Sequence, residues 1–86
     1  MRIHVSLDSA LSRFTEKSEF EIDALTVRGA IQAIDKQYPG FSSHVMDAGS
    51  FLGFIRVDLN NTFVERLDTQ LSDGARLSFM MASRGG

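Results

Sequence analysis

Hydrophobic and polar positions alternate strictly over residues 2–7, RIHVSL, with Ile3, Val5 and Leu7 in one phase and Arg2, His4 and Ser6 in the other. Period two is the signature of a strand with one buried face. Residues 8–18 carry only Leu11 and Phe14 as large apolar side chains, so they read as a loop with at most one helical turn. Phe20 and Ile22 in EFEI come back into phase, which predicts a second strand and an N-terminal antiparallel pair. The period then changes. Val27, Ala30, Ile31, Ile34 and Tyr38 form a stripe along one side of a helix, while Arg28, Gln32, Asp35 and Lys36 face away. Thr26 is placed to cap that helix with its hydroxyl, and Pro39-Gly40 ends it. Gly29 inside the helix reads either as a close approach to the sheet or as simple tolerance.

Phe41, Val45 and Met46 suggest one or two further helical turns. FIRVDL at 54–59 alternates again, Asn60-Asn61 suits a tight turn because Asn tolerates positive φ, and TFVE follows as a short strand. Asp73-Gly74 makes another turn before a last strand, RLSFMM, with Leu77, Phe79 and Met81 in phase. The predicted order is β-β-α-β-β-β. One helix can cover one face of one sheet, which makes an α+β roll: the β-grasp, with the helix on a four- to five-stranded mixed sheet and the first and last strands parallel at its centre. The expected organisation is a domain over residues 1–81 and a flexible tail over 82–86, ASRGG.

Composition narrows the function classes. At 86 residues, 43% hydrophobic and 23% charged, the chain is sized for one modest core. It has no cysteine, which removes disulfides, zinc–thiolate sites and a thiol nucleophile together. A net charge of −2, with nine scattered basic residues, lacks the basic footprint of a nucleic-acid binder. No apolar run approaches the roughly 20 residues that span a bilayer, and the start MRIHVSLD has no signal-peptide pattern, so the expected location is cytoplasmic. His4 and His44 stand alone, without metal-ligand spacing, and Asp8, Asp47, Asp68 and Asp73 fall where Asp bonds its own turn. No phosphate-binding loop is present. Neither a metal site nor an intrinsic catalytic residue is expected.

The segments RVDLNNTFV and LDTQLSDGARLSFMM, with Gly85-Gly86 after them, resemble the sulfur-carrier family that contains the small subunit of molybdopterin synthase and the thiazole-forming carrier of thiamine synthesis. TVRGAIQAIDKQYP resembles the family helix that begins at a Thr. Ala75-Arg76 after the last turn, Ala82 in place of a common proline, and Ser83-Arg84 before the glycines depart from the family pattern; the RGG end is closer to that of ubiquitin.

The resemblance implies that a ubiquitin-activating-type enzyme, bringing ATP and Mg²⁺, adenylates the Gly86 carboxylate. Sulfur then displaces AMP to leave a terminal thiocarboxylate for a downstream sulfur-accepting synthase. Gly85 and Gly86, having no Cβ, suit a narrow channel. Residues 82–86 can reach roughly 17 Å when extended, with Ala82, Ser83 and Arg84 as the arm. Docking is expected on the sheet face opposite the helix. With Ile3, Val5, Leu7, Ile55, Val57, Leu59, Leu77, Phe79 and Met81 turned inward, that face presents His4, Phe54, Arg56, Ser78 and Met80. Two other readings stand beside the carrier: a ubiquitin-like modifier joined through Gly86 to lysines, and a non-catalytic structural subunit or binding module. Only Lys17 and Lys36 are lysines, few for chain building.

Overall fold

The computed structural model describes residues 1–81. The expected tail, Ala82 to Gly86, lies outside the described residues. In order the elements are β1 (Arg2–Leu7), α1 (Ser9–Ser12), β2 (Glu19–Asp23), α2 (Val27–Gln37), α3 (Phe41–Val45), β3 (Met46–Asp47), β4 (Ser50–Phe51), β5 (Ile55–Leu59), β6 (Thr62–Val64) and β7 (Arg76–Met81). The main sheet runs β2-β1-β7-β5-β6, with β1 and β7 parallel at its centre and the other pairs antiparallel. This is the predicted β-grasp, with α2 packed on a five-stranded mixed sheet.

The period-two residues carry the core. Ile3 and Val5 of β1, Val57 of β5 and Leu77 of β7 have no exposed surface, and Val27, Ala30, Ile31 and Ile34 of α2 are equally buried against them. Phe41 of α3 meets Phe79 of β7 edge to face, with ring centroids 5.6 Å apart. One inward assignment fails: Met81 is 39% exposed although its parity is that of Leu77 and Phe79. It stands beyond the last residue of β1, where no strand flanks it on that side.

The Thr26 hydroxyl caps α2 by accepting from the Gly29 N–H at 3.0 Å. The loop before Leu71 completes the cap, because the Thr69 and Leu67 carbonyls accept from the Val27 and Arg28 N–H groups at 3.0 and 2.8 Å. Those donors would otherwise be orphans of the first helical turn. A Cβ placed on Gly29 would meet Thr26 Oγ1 at 3.4 Å and the Ala24 Cβ at 3.8 Å, which is ordinary contact. The glycine is therefore tolerated and does not mark a close approach.

Asn60 and Asn61 both have positive φ, 51° and 69°, and join β5 to β6 in a two-residue turn. The small β3–β4 hairpin, turning at Ala48 and Gly49, was not legible in the sequence. Two-residue strands are too short to show alternation.

Candidate functional site

The described residues of the candidate site lie at the end of β7 and on the outer face of the sheet. At the end of β7, Met81 pairs across to Ile55 of β5, and its N–H donates to Asp8 Oδ2 at 2.7 Å. The same carboxylate uses Oδ1 to accept from Leu11 N–H at 3.0 Å, capping α1. The residue that leads to Ala82 is thus held from both sides.

On the outer face, register decides which expected docking residues meet. Arg56 is directly opposite Met80, and Ser78 lies between Ser6 of β1 and Asp58 of β5. Arg56, Ser78 and Met80 therefore form one cluster. Phe54 immediately precedes β5 and is 40% exposed. His4 is set apart. It pairs with Arg76, four residues from Met80 along β7, which is about 13 Å at strand rise. Its Nε2 lies 3.0 Å from Glu19 Oε1, on the acidic edge formed by Glu19, Glu21 and Asp23 of β2.

Phe63 belongs to this cluster and was missed. It pairs with Asp58, is 49% exposed, and its ring lies 5.0 Å beneath the Arg56 guanidinium. Arg56 Nε also donates to Asp58 Oδ1 at 3.0 Å. The signal was available: a two-residue turn at Asn60-Asn61 sets Asp58 opposite Phe63 and so turns Phe63 to the outer face.

Among the described residues no group of three or more His, Cys, Asp or Glu side chains could hold a metal ion. None of their helices is long and apolar enough to cross a membrane. A cleft of about 240 Å³ between the start of α2, the β3–β4 hairpin and residues 65–68 is lined by Arg28, Glu65, Arg66 and Asp68, with mixed charge. There Arg66 Nε donates to Asp68 Oδ1 at 3.0 Å. The bond and the neighbouring charge hold the Asp68 carboxyl below its ordinary range and raise the Arg66 guanidinium. Both side chains are solvated.

The sheet order β2-β1-β7-β5-β6 with α2 across one face defines a β-grasp domain of the ubiquitin-like class. Residues 8–86 match the profile of the ThiS family, and the chain belongs to that family of ubiquitin-fold sulfur carriers. Its role is that of a non-catalytic sulfur carrier in cofactor biosynthesis.

Solved structures agree on the fold. In the BexX/CysO complex of Amycolatopsis orientalis, a chain 24% identical superposes with a TM-score of 0.91, over 98% of this chain and 99% of that one. CysO of Mycobacterium tuberculosis is 23% identical, with a TM-score of 0.86 over 94% and 99%. SAMP1 of Haloferax volcanii is 21% identical, with a TM-score of 0.84 over the whole of both chains. A comparison with curated protein sequences found no match.

Proposed function

We propose that Gly86 is the sulfur-bearing terminus and that its chemistry is supplied by two partners in turn. A ubiquitin-activating-type enzyme, with ATP and Mg²⁺, joins the Gly86 carboxylate to AMP and releases pyrophosphate. A sulfur nucleophile then attacks the acyl carbon, AMP leaves, and the terminus becomes a thiocarboxylate. A sulfur-accepting synthase takes the sulfur from it.

The observation that carries this reading is the family match running through Gly86. A terminal thiocarboxylate needs no thiol side chain, in keeping with a chain that has no cysteine. The BexX/CysO complex, in which the similar chain is solved together with a partner, supports a docked mode of action. For this chain the docking surface is the cluster of Phe54, Arg56, Ser78 and Met80 with Phe63, and His4 lies at its margin.

Intact mass spectrometry after incubation with the activating enzyme, ATP, Mg²⁺ and sulfide tests the reading. The expected product is heavier by one oxygen-to-sulfur exchange, and a chain lacking Gly86 gains nothing. A second reading, conjugation to lysines of other proteins, is favoured by the RGG end. Isopeptide adducts without the sulfur exchange would establish it in place of the carrier.

A further inference from the structure

Asp8 sits where β1 stops and α1 begins, and its two kinds of oxygen have exchanged places. In a parallel ladder a residue donates its N–H to one carbonyl of the neighbouring strand and accepts at its own carbonyl from the N–H two residues further along. Asp8 makes the first of these bonds, donating to the Phe79 carbonyl at 3.2 Å. Its own carbonyl oxygen should then accept from Met81. Instead that oxygen has turned into α1, where it accepts from Leu11 N–H at 3.2 Å and Ser12 N–H at 2.8 Å. The bond from Met81 N–H is taken by the side-chain Oδ2 at 2.7 Å. The side chain thus extends the central ladder by one rung after the main chain has left it.

From this exchange we infer that Asp8 is the positioning residue for the C-terminal arm. The inference rests on the carrier reading, since it concerns how Gly86 is presented to the activating enzyme. Met81 is the last described residue before the segment 82–86 that leads to Gly86. Without Asp8, β7 would lose its hold on the β1 side beyond Phe79 and keep only its pairing with β5. Freedom gained at the base of an arm spreads its end over more positions, and reaction of a tethered group falls as its orientation is lost.

A carboxylate is specifically suited to the place. Two backbone N–H donors, those of Leu11 and Met81, point at its two oxygens. Asn has a single carbonyl oxygen and an NH₂ that itself donates, so it satisfies one of the two. Asn is as good a helix cap as Asp, which lets Asp8→Asn keep α1 while releasing Met81.

The test uses the full chain, with Asp8→Asn, Asp8→Ala and a control, Thr15→Val. Thr15 is buried in the same loop, and its hydroxyl donates to the Lys17 carbonyl at 2.7 Å, so its loss weakens the loop without touching β7. Amide exchange at Met81 is expected to speed up about 10-fold or more in both Asp8 variants, with Val5 and Leu77 still protected. With the activating enzyme, ATP and Mg²⁺, kcat for adenylation is expected to fall about 10-fold while KM for the carrier changes by less than about twofold, because the docking face is intact. Thr15→Val should lower the melting temperature and leave both Met81 exchange and kcat as in the wild type.

Wild-type Met81 exchange or wild-type kcat in Asp8→Ala would overturn the inference, as would a fall in kcat in Thr15→Val equal to that in Asp8→Asn. A wild-type chain that is not adenylated at all overturns the carrier reading instead. In that case the exchange data still decide whether Asp8 holds Met81.

Discussion

The Arg56 guanidinium lies 5.0 Å over the ring of Phe63 while its Nε is bonded to Asp58 at 3.0 Å, so a cation on the outer sheet face is fixed from below and from the side. Beside it Met80 stands opposite in the neighbouring strand. An aromatic, a held guanidinium and an adaptable thioether together make the kind of surface on which a few side chains dominate binding.

Met80→Asp is accordingly expected to weaken binding of the activating enzyme about 10-fold or more, roughly 1.4 kcal/mol, with the melting temperature little changed. Phe63→Ala should weaken it less, by freeing Arg56. Titration calorimetry against the enzyme with nucleotide absent measures both. Wild-type affinity for Met80→Asp would move the docking surface elsewhere on the domain.

Gly29→Ala is expected to stabilise the domain by about 0.5 to 1 kcal/mol, the difference in helix propensity, because the added methyl meets only ordinary contacts. Thermal unfolding should show a rise of a few degrees. A fall would mean that the Thr26 hydroxyl had been displaced from its bond to residue 29.

The two asparagines of the β5–β6 turn should respond in opposite directions to the same change. Asn61→Gly removes the cost of a left-handed backbone and is expected to gain up to about 1 kcal/mol. Asn60→Gly removes a similar cost but also loses the bond that Asn60 Oδ1 accepts from Arg76 N–H at 2.9 Å, so a net loss of about 0.5 kcal/mol is expected. Denaturant melts of the two variants distinguish them.

Phe79→Ala should cost about 3 to 5 kcal/mol, a large part of the 5 to 15 kcal/mol that holds an ordinary domain together. In a double-mutant cycle with Phe41→Leu, a coupling of about 1 kcal/mol is expected from the edge-to-face pair.

The Asp68 carboxyl is held low by Arg66, so its folded pKa lies below its unfolded value. Its contribution is present above the unfolded pKa and is lost as pH falls through the folded one, below about pH 4. Asp68→Asn is expected to leave the melting temperature at pH 7 nearly unchanged and to flatten its decline in acid. The effect is small because the pair is solvated. Melts between neutral pH and about pH 2.5 compare the two chains across this range.

Much of this protein was decided along the chain itself. The alternation of Ile3, Val5 and Leu7, the stripe from Val27 to Ile34 and the turn at Asn60-Asn61 are local consequences of period and backbone preference. They were sufficient for the β-grasp and for the residues that face its core. The resemblance in residues 54–86 pointed to the family, and the match over residues 8–86 established it.

Tertiary structure decided the rest. Parity placed His4 on the same face as Met80, but only the β1–β7 register showed that His4 pairs with Arg76 and stands apart from Arg56 and Met80. Parity also turned Met81 inward, whereas β1 ends too soon to cover it. Asp8 looked like a residue serving its own turn, and it does cap α1. Its second oxygen, however, meets a backbone N–H 73 residues away. No local pattern contains that contact, because it exists only when β1 and β7 lie side by side as the parallel centre of one sheet.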